Sequence, residues 1–79
     1  MTLVELKKRL DALGTNPRAY NLDGGFPAES EGVVVAMDRG KWLVRFFERG
    51  SWYTFGEYDN EEAAADKAFS ILSKPDYRT

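Results

Sequence analysis

The sequence predicts a small α+β fold: the order α-β-β-β-α, a three-stranded antiparallel meander with both helices packed on one face. Three observations predict it. Leucines recur at helical spacing near the N-terminus, and three β-branched or aromatic runs follow, separated by Arg-Gly pairs. An alanine-rich amphipathic segment then closes the chain. Seventy-nine residues suit a single domain spanning 1–79.

Residues 1–14 read as the first helix. Thr2 and Glu5 have capping-box spacing, so the hydroxyl and the carboxylate satisfy each other's free backbone N–H groups. Leu3, Leu6, Leu10 and Leu13 form one apolar stripe, with Lys7, Lys8 and Arg9 mostly away from it. Gly14 suits a left-handed C-terminal residue, and Pro17 prevents continuation. Residues 15–31 form a connector whose Asn-Pro and Asp-Gly-Gly sequences are turn chemistry. Its Tyr20, Leu22 and Phe26 are large and apolar, so the loop is expected to pack down onto the domain.

The sheet is expected over 32–58, with strands at about 32–37, 41–48 and 51–58. Two-residue turns at Arg39-Gly40 and Arg49-Gly50 set the register. Met37 then faces Trp42, Val35 faces Val44 and Val33 faces Phe46; beyond the second turn Phe46 faces Tyr53, Val44 faces Phe55 and Trp42 faces Glu57. Side chains alternate between faces. One face thus carries Val33, Val35, Met37, Trp42, Val44, Phe46, Tyr53 and Phe55 and is expected to be the core. The other carries Val34, Ala36, Leu43, Arg45, Phe47, Trp52 and Thr54. A one-residue slip would bury Arg45, which argues against it. The second helix is expected over 60–73, capped by Asp59 or Asn60, with Ala65, Ala68, Phe69 and Leu72 as its stripe. Residues 75–79 read as a frayed tail.

Composition narrows the function. There is no Cys and no His, which removes the thiolate nucleophile, the imidazole base and the commonest metal ligands. No metal or cofactor site is indicated, and Asp23-Gly24-Gly25 lacks the spacing of a phosphate-binding loop. The serines have no base to activate them, so the chain does not read as an enzyme. A net charge of −2 gives no basic field for nucleic acid. No apolar run approaches membrane-spanning length and the N-terminus has no signal-peptide core, so a soluble cytoplasmic protein is expected.

Two features could carry binding. Phe47 and Trp52 should be cross-strand neighbours beside Arg45, Leu43 and Thr54 on the sheet face away from the helices, and Trp, other aromatics and Arg dominate interface hot spots. Alternatively, the connector folds over this face and buries it. The acidic stretch Glu57, Asp59, Glu61, Glu62 and Asp66 could steer a basic partner, although carboxylates at a helix start are also favoured by the helix dipole alone.

Two resemblances bear on these features. The run Asn16-Pro17-Arg18-Ala19-Tyr20-Asn21-Leu22-Asp23-Gly24-Gly25-Phe26-Pro27, then Gly40-Lys41-Trp42-Leu43-Val44-Arg45-Phe46-Phe47-Glu48-Arg49-Gly50, then Asp59-Asn60-Glu61-Glu62-Ala63, resembles the small bacterial immunity proteins of polymorphic toxin systems, in particular the immunity protein 59 family. That family's pattern is NPxAYxLxGGxP, then GxWxVxxxERG, then a short acidic helix start. The resemblance implies a cytoplasmic protein that binds and neutralises a cognate toxin protein; binding without catalysis, by a monomer or weak homodimer, is the expectation. It supplies no binding residues. Those expected from the residues themselves are Arg45, Phe47, Trp52 and Thr54, with Glu48, Arg49, Glu61 and Glu62 as the rim.

Residues 32–69 are also similar to plant-type AP2 and integrase-type DNA-binding domains, through Gly32-Val33, Gly40-Lys41-Trp42 and the run from Phe55 to Ala64. Such domains place a three-stranded sheet in the major groove. Here that face offers Arg45 as its one firm cation, too few for phosphate and base contacts. The double-stranded-RNA-binding domain shares the element order, yet Glu61 and Glu62 stand where it uses lysines. A DNA-binding module and a structural homodimer through the outer face remain the alternatives.

Overall fold

A computed structural model of the chain describes residues 1–27 and 31–77. Helix α1 (Leu3–Leu13) is followed by a 3₁₀ turn at Pro17–Ala19 and a two-residue strand β1 (Tyr20–Asn21). Strands β2 (Glu31–Asp38), β3 (Lys41–Glu48) and β4 (Ser51–Tyr58) form the meander, helix α2 (Glu61–Leu72) crosses it, and a 3₁₀ turn at Pro75–Tyr77 ends the described chain. The class is α+β as expected, but the sheet is mixed and four-stranded, in the order β1-β2-β3-β4. The added strand is parallel to β2, with Tyr20 beside Val33 and Asn21 beside Val34. It lies inside the region read as a loop. Two residues between turn-forming sequences are too few to show a strand's alternation.

Both helices form as their caps dictate. Thr2 Oγ1 accepts from the Glu5 N–H at 3.2 Å while the Glu5 carboxylate accepts from the Thr2 N–H at 3.1 Å, completing the capping box. That amide bond is the main reason the Glu5 carboxyl is held below its ordinary pKa. Gly14 closes α1 at φ 77°. Asn60 caps α2 by accepting from the Ala63 N–H at 2.8 Å.

The β2–β3 register matches the expectation: Val33 pairs with Phe46, Val35 with Val44 and Met37 with Trp42. Both turns place Arg-Gly at positive φ, 52° and 78° at the first, 50° and 81° at the second, the conformation that matches the twist of two-residue hairpins. The β3–β4 register changes partway. Phe46 pairs with Tyr53 and Arg45 with Thr54, but Val44 pairs with Gly56 and Trp42 with Tyr58, because Phe55 is an extra residue in a β-bulge. The expected pairs Val44–Phe55 and Trp42–Glu57 are therefore corrected. Without the bulge, the Glu57 carboxylate would face Trp42 toward the helices. With it, Tyr58 takes that place and Glu57 pairs with Leu43 on the other face.

The core lies between the sheet's inner face and the two helices. Leu6 and Leu10 from α1, Ala64, Ala65, Ala68 and Leu72 from α2, and Val33, Val35 and Val44 are all fully buried. The alanines let α2 approach the strands closely. Three residues expected in this core are not there: Met37 is 56% exposed, Tyr53 57% and Phe55 44%. Length is the reason. Twelve helical residues extend about 18 Å, whereas an eight-stranded-residue run extends about 26 Å, so α2 leaves the sheet's margin bare. Two polar links join the helices: the Leu3 N–H donates to Glu61 at 2.8 Å, and the Met1 amino group pairs with Asp66 at 3.0 Å. The tail is not wholly frayed either. Tyr77 packs against the core, and its carbonyl accepts from the Asn16 N–H at 2.7 Å. Residues 78–79 lie outside the described residues.

Candidate protein-binding face

The sheet's outer face is divided between two fates. On the β2 side, Val34 is buried, and the connector explains why. A Cβ placed on Gly24 would sit 3.3 Å from the Ala36 Cβ, and one placed on Gly32 would meet the Ala19 carbonyl oxygen at 2.6 Å and the Pro27 Cβ at 2.7 Å. Ala36, Val34 and Gly32 are successive outward positions of β2, so residues 24–27 run back along that strand and cover it. Asn21 holds the crossing in shape. Its Oδ1 accepts from the Asp23 N–H at 2.6 Å, and its Nδ2 donates to the Phe26 carbonyl at 3.1 Å. Gly32 is required because only a residue without Cβ lets the connector come this close.

On the β3–β4 side the connector stops short and leaves a cluster of rings. Phe47 and Trp52 are cross-strand partners with centroids 4.9 Å apart. Phe26 completes the group, edge-on to Phe47 at 5.4 Å and tilted against Trp52 at 5.6 Å. Phe26 is itself 67% exposed, so it extends the apolar surface while covering part of its neighbours. The Arg45 guanidinium lies over the Trp52 ring, 4.2 Å from its centroid. Thr54, paired with Arg45 across the strands, is exposed beside it.

Four of the expected binding residues, Arg45, Phe47, Trp52 and Thr54, therefore share one surface. The rim residues are scattered. Arg49 lies in the β3–β4 turn at the edge of the cluster, whereas Glu48 pairs with Ser51 one position along and projects to the inner side. Glu61 and Glu62 begin α2 on the opposite side of the sheet, and Glu61 is occupied in receiving the Leu3 N–H. They do not border the rings. Phe26 is a residue of this surface that the expectation missed. In the structure Asn21, five residues earlier, and the close approach at Gly32 hold the connector where Phe26 meets the rings.

Charges at the other end of the face are internally matched. Lys41 bonds to Asp59, which raises the lysine's pKa and lowers the carboxyl's, and Glu57 adds a weaker attraction to the same lysine. A second concavity of about 590 Å³ lies between α1 and β1, lined by Leu3, Val4, Tyr20 and Leu22, with Lys7 paired to Asp11 at 3.5 Å on its wall. It is open and mainly apolar, with Lys8, Asn21 and Asp23 also on its lining. Among the described residues, no group of three or more acidic side chains could hold a metal ion, and no helix is long and apolar enough to cross a membrane. Compared with known proteins, the chain matches no family model, no curated protein and no solved structure.

Proposed function

We propose that this chain is a non-catalytic immunity protein that neutralises a bacterial toxin domain by binding it through the β3–β4 half of the outer face. The observation that carries the reading is the cluster of Phe26, Phe47 and Trp52 with Arg45 over the indole. Phe26 is exposed, with Phe47 and Trp52 part-buried around it, and aromatic rings beside an Arg are the residue types that dominate protein-partner hot spots. The resemblance of residues 16–27, 40–50 and 59–63 to the immunity protein 59 pattern names the kind of partner. The cytoplasm is the compartment that this reading requires.

The experiment pairs the chain with the toxin domain encoded beside its gene. Co-expression restores host growth, and the purified proteins elute as one complex. Trp52→Ala and Phe47→Ala keep the far-ultraviolet circular dichroism of the parent and lose the rescue. Rescue undiminished by both substitutions would remove this face from the reading. Submicromolar, salt-sensitive binding to random duplex DNA would move the choice to the DNA-binding alternative. Concentration-dependent dimerisation that Trp52→Ala abolishes would show the face holding a second copy instead.

A further inference from the structure

We infer that the outer face recognises a carboxylate: its partner presents an Asp or Glu side chain to the Arg45 guanidinium, next to an apolar side chain that rests on Phe26 and Trp52. The inference rests on the reading of this face as a docking surface and adds the chemistry of what docks.

Arg45 sits in the middle of β3, where its stem runs across a sheet and its charge would normally be matched by a neighbour. None is present. Its Nε is buried without a hydrogen-bond acceptor, and no ion pair among the described residues includes it. Lys41, the other cation of this face, is already bound to Asp59. Glu57, on the same face, attracts Lys41 and pairs across the strands with Leu43, not with Arg45. Among the described residues the guanidinium is therefore a cation without an ion-pair partner, 4.2 Å from the Trp52 ring centroid.

Contact with the indole restrains the Arg45 side chain, so less freedom remains to be lost when an acceptor arrives. A guanidinium has five N–H donors and no acceptor, and a carboxylate meets two of them at once in a planar fork. Beside this fork, Phe26 offers an apolar step. A partner surface pairing an acidic residue with an adjacent apolar one satisfies both features together. A basic partner would set like charge against Arg45.

The test uses the ¹⁵N-labelled full chain and two blocked tripeptides, acetyl-Phe-Asp-Leu-amide and its isostere acetyl-Phe-Asn-Leu-amide. Titration is followed at the Arg45 Nε–H and Trp52 indole N–H resonances. The acidic peptide is expected to shift both and to bind about tenfold more tightly than the amide, the size expected of a charge-assisted pair over a neutral one. Raising the salt concentration should narrow the gap. Arg45→Lys, which keeps the charge and loses the fork, should lose most of the preference with the remaining amide spectrum unchanged. Equal shifts from both peptides at these resonances would overturn carboxylate recognition and leave the docking face standing. So would an Arg45→Lys variant with the preference intact. Shifts confined to other surfaces, or none at millimolar peptide, would overturn the docking reading and the inference with it.

Discussion

The two faces of the sheet are built from similar apolar patterns and end in opposite states. Inward, Val33, Val35 and Val44 are fully buried against Leu6, Leu10 and the alanines of α2. Outward, Val34 and Leu43 are buried almost as well, but Phe47 and Trp52 are only part-buried. Aliphatic side chains against two capped helices make a dry core. Rings against a short connector make a surface that is only partly closed. What separates the faces is the covering element. A helix lays down a continuous apolar stripe, whereas residues 24–27 cover β2 and reach the β3–β4 rings through Phe26.

The comparison is broken most severely from the inner side. Leu10→Ala should cost about 2–5 kcal/mol in urea denaturation, since the site is sealed and a cavity remains. Trp52→Ala, on the outer face, should cost roughly 1–2 kcal/mol, because the ring is only part-buried and the loss is mainly its aromatic neighbours. Equal losses would show Trp52 to be as much a core residue as Leu10. Gly32→Ala tests the covering itself. A Cβ there collides with the Ala19 carbonyl and Pro27, so a loss of about 1–3 kcal/mol is expected, with a displaced Trp52 indole resonance as Phe26 moves. An unmoved resonance would show the connector to be held without that close approach.

The remaining two tests sharpen the contrast from its margins. Burial, then the nearby Glu31 and Asp76 charges, push the Tyr77 hydroxyl above its ordinary pKa. The unfolded chain therefore releases this proton first. The contribution is fully present below the unfolded value of about 10 and is lost as pH rises through the folded one. Tyr77→Phe should remove this step from an alkaline stability profile and leave neutral pH nearly unchanged. A step of the same size in the variant would assign it to other groups. Smallest is Arg49→Asn. Arg49 occupies φ 50°, which Asn tolerates better, so stability should rise by about 0.5–1 kcal/mol in thermal or urea denaturation. A loss instead would show that the Arg49 side chain contributes to the fold.

Much of this fold was legible because its signals are local. The capping box at Thr2 and Glu5, Gly14 after the leucine stripe and both Arg-Gly turns depend on residues within a few positions of one another. The β2–β3 register follows from the first turn alone. The Phe55 bulge was not legible. Continuing the turn register would have put Glu57 inward, and the chain avoids this by adding a residue, a choice that depends on what the helices cover. The exposure of Met37, Tyr53 and Phe55 has the same origin. Of the binding surface, Arg45, Phe47, Trp52 and Thr54 could be grouped by alternation along two strands. Phe26 could not, because loop sequence does not say where a loop comes to rest.

Chain chemistry alone therefore determined the helices, the hairpins and the side of the sheet on which each β2 and β3 residue lies, since caps, turns and alternation act over short sequence distances. Three-dimensional packing decided the parallel strand at Tyr20, the bulge at Phe55 and the partial cover that leaves Arg45 over Trp52. Each of these depends on how far one element extends across another, a distance set only when the whole chain has packed.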